Sequence, residues 1–136
     1  NTVPALAVLD VDSRSFTMAE MQRVESSIRS LKAHHPDARV EVTGGINRPP
    51  LELSATKDLY EKFEIVAQKL GVGPIGHAAV GGASDGNLAA AAGAQVLDGL
   101  GGVGDGAHAP HEHILISSID RQISLTREFV KELISE

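Results

Sequence analysis

Cysteine is absent from the 136 residues, and so is tryptophan. Without thiols there is neither a disulfide framework nor a thiolate metal site, and the composition is compatible with a cytosolic protein. Aromatic rings are few: Phe16, Phe63, Phe129 and Tyr60 are all there are. The core must therefore be built mostly from Ala, Val, Ile and Leu, as where helices pack on a sheet. No apolar run approaches the roughly 20 residues that a membrane-spanning helix needs. Positive charge is also short, with 12 Lys and Arg against 18 Asp and Glu and a net charge of −6. That balance speaks against a nucleic-acid surface.

What is present is enough for a core: 42% of residues are hydrophobic, over the length of one average domain. The chain opens at Asn1, in the middle of what reads as a strand, so we expect a longer native chain upstream. "VPALAVLDVDSRSF" reads as that strand. Thr17 and Glu20 then have capping-box spacing, followed by a helical stripe of Met18, Met21, Val24, Ile28 and Leu31. Pro36 and Asp37 end the helix, with His34 and His35 at its dipole-favoured end, and "ARVEVTGG" reads as a second strand. Pro49 and Pro50 mark an extended connector and the candidate domain boundary.

Beyond the connector, Ser54 is expected to cap a helix whose apolar face is Leu59, Phe63, Val66, Ala67 and Leu70, closed by Gly71 and Pro74. "HAAVGG" reads as a short buried strand that His77 enters. A helix opening at Ser84 or Asp85 and a strand "AQVLDG" follow. A closing helix from about Ser117 is expected to bury Ile119, Ile123, Val130 and Leu133. Alternating short strands and helices give an α/β fold class.

Two glycine loops and one histidine cluster hold the candidate chemistry. "GLGGVG" (99–104) has the spacing of the dinucleotide fingerprint, but "DGAHAPHEH" cannot open the required helix with Pro110 inside it. "GGASDGN" (81–87) follows a strand and precedes a helix. It could cradle a carboxylate or oxyanion on its backbone N–H groups, although a plain capped turn explains the same residues. "HAPHEH" places His108, His111 and His113 around Glu112, half of the chain's six histidines. A zinc site needs three or four converging ligands, usually from separated segments. One histidine here is therefore expected to bind metal, with its companion ligands elsewhere.

Taken in order, "NTVP…DSR", "GGASDGN" and "GAHAPHE" resemble the carboxy-terminal part of the co-catalytic zinc exopeptidases. That family includes glutamate carboxypeptidase, acetylornithine deacetylase, succinyl-diaminopimelate desuccinylase and aminoacylase. The likeness covers essentially the whole chain. It implies two parts: residues 1–47 as the second half of a ferredoxin-like β-α-β lid, and residues 48–136 as the carboxy-terminal segment of the phosphorylase/hydrolase-like catalytic domain. The lid often mediates dimerisation, so a homodimer is implied.

By the same resemblance, His108 is the last zinc ligand and Arg14 the lid arginine that grips a substrate carboxylate. Asn1 would reach the substrate carbonyl or carboxylate, and Gly82, Ala83 and Ser84 would line the substrate turn. The remaining ligands of the two-zinc centre and the general-base glutamate would lie upstream. In the intact enzyme the zinc pair would activate a water to cleave an N-acyl amino acid or peptide-like substrate. This chain alone is then expected to be inactive.

The competing reading is a non-enzymatic association or small-ligand module on the same scaffold; a nucleotide-binding domain is a third. The coding sequence upstream of Asn1 separates the first two. An H-x-D motif followed by a Glu-Glu pair is expected there for the enzyme, and their absence would favour the module.

Overall fold

The computed structural model describes residues 2–135. Its helices are α1 (Met18–Arg29), α2 (Lys57–Lys69), α3 (Gly86–Ala91) and α4 (Ile119–Ile134). Short 3₁₀ turns at Leu53–Ala55 and Ile116–Ser118 lead into α2 and α4. The ladder among the described residues is one antiparallel hairpin, β1 (Gly104–Asp105) with β2 (His113–Ile114), in the register Gly104 to Ile114 and Asp105 to His113.

The core lies between α2 and α4. Phe63, Val66 and Ala67 from α2 meet Leu125 and Phe129 from α4, all five buried. Leu59, Val72, Ile75, Leu97, Leu100 and Leu133 close around them. Spacings of three and four residues put each set on one helical face. On α2 the expected face is observed, except that Leu70 stays exposed. On α4 the buried line is Leu125, Phe129 and Leu133, while Ile123 and Val130 are exposed. Both flanks of α4 are apolar, and α2 packs against the flank that carries the ring of Phe129.

Local signals set the helix ends. The Thr17 hydroxyl accepts from the Glu20 amide at 3.2 Å, but Glu20 turns its carboxylate to Arg23, so only half of the capping box forms. The open amide of Met18 is taken by the Glu52 carboxylate at 2.7 Å. The helix stops at Arg29, leaving Leu31, His34 and His35 beyond it. The two histidines are therefore not helix-end residues, and His35 instead accepts the Asp37 amide on Nδ1. Nor does Ser54 cap α2, since it lies within the preceding 3₁₀ turn. Gly71 (φ 68°) ends α2 in a Schellman turn: its amide donates to Gln68 O and that of Val72 to Ala67 O, which folds Val72 onto the core.

The four remaining apolar runs, 3–16, 38–45, 77–82 and 94–98, carry no ladder. A strand needs a neighbour to take its hydrogen bonds; among the described residues these segments form no ladder, and the Val96 amide instead donates to Ala55 O at 2.8 Å. Val3 and Leu9 are each 85% exposed and Val80 is 70% exposed, so the expected buried strand at "HAAVGG" is uncovered. No residue of α1 is buried; Met18, Met21, Val24 and Ile28 are only half-covered. The accessible surface is 10737 Å², against roughly 6,800 Å² for a compact monomer of this mass.

Replacing Phe63 or Phe129 with alanine should lower unfolding free energy by about 3–5 kcal/mol in urea titration. Val130→Ala should change it by no more than about 0.5 kcal/mol.

Candidate functional site

Two arms carry the candidate residues away from the α2–α4 core. The first leaves α2 through the Gly71 turn. The hydroxyl of Tyr60, on α2, lies 2.6 Å from Ile75 O and 2.9 Å from Glu64 Oε1, and its one proton is donated to one of these acceptors at a time. His77, exposed and outside any strand, packs edge-on against the Tyr60 ring at 5.3 Å. Burial first, and then the Glu64 carboxylate, raise the Tyr60 pKa. The phenol thus stays protonated as a donor.

This arm ends in the 81–87 turn. Buried Asn87 ties the turn internally and to the connector: Oδ1 accepts the Ser84 amide at 3.0 Å, and Nδ2 donates to Pro49 O at 2.8 Å. The Ser84 hydroxyl accepts the Gly86 amide, and Arg48 donates to the Ser84 carbonyl. Ser84 is thereby engaged in shaping the turn, with Gly82 and Ala83 exposed beside it. Asp85 makes no side-chain cap.

The second arm is the hairpin ahead of α4. Its glycines are there for closeness. A Cβ on Gly104 would run into the His113 carbonyl, and one on Gly102 would lie 2.9 Å from Ile114 Cγ2. On Gly106 a Cβ would lie 2.7 Å from His111 Cδ2. A hairpin follows "GLGGVG" where the dinucleotide fold requires a helix, so this loop lacks the helix end that would hold a pyrophosphate.

The three histidines of the hairpin separate into distinct positions. His111 lies across Gly106. His113 Nδ1 is 3.0 Å from the His111 carbonyl, which can only accept, so Nδ1 carries the proton there. His108 sits at the exposed tip with φ 67°, the left-handed conformation unusual for a residue with a Cβ. Among the described residues no group of three or more His, Asp or Glu side chains is arranged to hold a metal. One imidazole does not satisfy zinc, so the donors present do not fit a complete metal site.

Arg14 meets the first arm. Its Nη1 donates to Gly81 O at 2.9 Å across 67 residues, at the mouth of the 82–84 turn. Its Nε and Nη2 donate to Asp12 Oδ2 at 3.2 and 2.8 Å. The hydrogen bond and charge of Asp12 raise the Arg14 pKa, and those of Arg14 lower that of Asp12. Arg14 and the glycine turn are thus brought together. Asn1 lies outside the described residues. Asp12 and Asn87 carry the geometry, although the motifs "DSR" and "GGASDGN" assign neither a role of its own. Their signals are local: a charge pair two residues apart, and an asparagine three residues after Ser84.

The profile of Peptidase family M20/M25/M40 matches residues 4–132. A match over nearly the whole chain defines the class as a hydrolase of metallopeptidase type. The chain belongs to that family. No curated protein and no solved structure matches it.

Because the folded-state pKa of Asp12 is depressed, its pairing with Arg14 is intact above the ordinary carboxylate range and is lost as pH falls through the lowered value. A carboxyl-carbon NMR titration should therefore place Asp12 below the usual value of about 3.9. Arg14→Ala should bring it back up.

Proposed function

We propose that this chain is the carboxy-terminal part of a zinc-dependent hydrolase that cleaves the amide bond of a carboxylate-bearing amino acid, as carboxypeptidases and deacylases do. In this reading residues 1–47 are the second half of the lid and 48–136 the closing segment of the catalytic domain. His108 supplies one ligand of a two-zinc centre whose other donors lie upstream. Arg14 grips the substrate carboxylate, and Gly82, Ala83 and Ser84 line the turn beside it, with Asn1 as a further substrate contact. Such an enzyme would work as a homodimer joined through its lids.

The observation that carries the reading is the meeting of Arg14 with Gly81, within a chain of a peptidase family. A guanidinium suits a terminal carboxylate because it can bind both oxygens, and Arg14 stands where the glycine turn leaves backbone exposed. The excess surface supports the other half of the proposal. Apolar residues such as Val3, Leu6, Val8 and Leu9 have the exposure of strands whose neighbours belong to the rest of a sheet.

Joined to the amino-terminal portion, the enzyme is expected to hydrolyse N-acyl amino acids, to lose activity to a chelator and to regain it with zinc. His108→Ala should cost more than the roughly 10–100-fold that follows loss of a ligand's supporting partner, whereas Arg14→Ala should mainly raise KM. Full activity in His108→Ala would overturn the assignment. The 136-residue chain by itself should hydrolyse none of these substrates.

A further inference from the structure

We propose that Asp12 is the positioning residue of the carboxylate grip, holding one edge of the Arg14 guanidinium so that its remaining N–H groups receive the terminal carboxylate of a short acyl-amino-acid or peptide ligand. The proposal rests on the reading of Arg14 given above. A guanidinium has five N–H donors. Asp12 takes two of them, from Nε and Nη2, and the Gly81 carbonyl takes one from Nη1. One N–H is then left on each terminal nitrogen, matching the two oxygens of a carboxylate. Three hydrogen bonds from two directions fix the plane of the group before any ligand arrives.

Stability is not what this pairing provides. The two side chains are 59% and 69% exposed, and ion pairs that open to water contribute little to folding. Orientation is different, because a free arginine samples many rotamers and a ligand would have to order it on binding. Charge alone makes the opposite demand. A nearby carboxylate weakens the attraction of Arg14 for an anion, so a purely electrostatic role for Asp12 means tighter anion binding once Asp12 is neutralised. Positioning means weaker binding.

The test is an NMR titration of the full chain with N-acetylglycine, observing the Arg14 Nε–H resonance and nearby amides, with uncharged N-acetylglycinamide as control. The unsubstituted chain should respond saturably to the acid and not to the amide, and Arg14→Ala should abolish the response. Asp12→Asn should weaken binding roughly 2- to 10-fold, broaden or remove the Nε–H signal, and leave the melting temperature unchanged. Asp12→Glu should recover part of both the affinity and the signal. Unchanged or tighter binding in Asp12→Asn, with Arg14→Ala still abolishing it, overturns the role of Asp12 and leaves that of Arg14 standing. No response in the unsubstituted chain, or one that survives Arg14→Ala, overturns both.

Discussion

The edge-to-face contact of Phe63 and Phe129, with ring centres 5.1 Å apart, joins α2 to α4 across the small core. Such a ring pair adds about 0.5–1.5 kcal/mol beyond the apolar area it buries. In a chain with so few aromatics it concentrates much of the available packing at one crossing. Both candidate arms are anchored there. The 72–87 segment leaves the core through Val72 and Ile75, and the hairpin returns to it where buried Ser118 donates its hydroxyl to Leu115 O at the start of α4. Without that crossing, neither the Arg14-facing turn nor the His108 loop would have a fixed origin.

A second constraint is the contact between residues 2–47 and the rest. Two polar links do this work: the Glu52 carboxylate on the first amide of α1, and Arg14 on Gly81. They bridge 34 and 67 residues and use charged partners, which make stronger hydrogen bonds than neutral ones. Phe16 also lines one cavity with Leu51, Leu53 and Ala79, while the apolar stripe of α1 remains only half-covered.

The parts legible in the sequence are those that depend on nearest neighbours. The α2 face, apart from Leu70, the Gly71 stop and the Thr17 half of the capping box are written in residues a few positions apart, and these appear. Strands were the opposite case: Val and Leu runs state a preference for a ladder but do not supply its other rail. The α4 face was ambiguous because Ile123 and Val130 make an apolar line as good as that of Leu125 and Phe129, and only the position of Phe63 decides between them. At the site, Arg14 and the 82–84 turn could be named from motifs. Asp12 lies inside "DSR", yet the motif marks only Arg14, because the role of Asp12 arises from the guanidinium edge that Gly81 leaves open to it. For His108 the motif gave the residue, while its left-handed backbone became visible only in three dimensions.

That backbone has an evolutionary corollary. Glycine, or asparagine, would occupy position 108 with less strain than histidine, by about 1 kcal/mol. A lineage released from any need for an imidazole would be free to drift toward those residues while keeping the hairpin's shape. The amino acid at this one tip thus serves as a marker: histidine retained against its backbone preference signals a loop kept for its side chain, and glycine there would signal a loop kept only for its path.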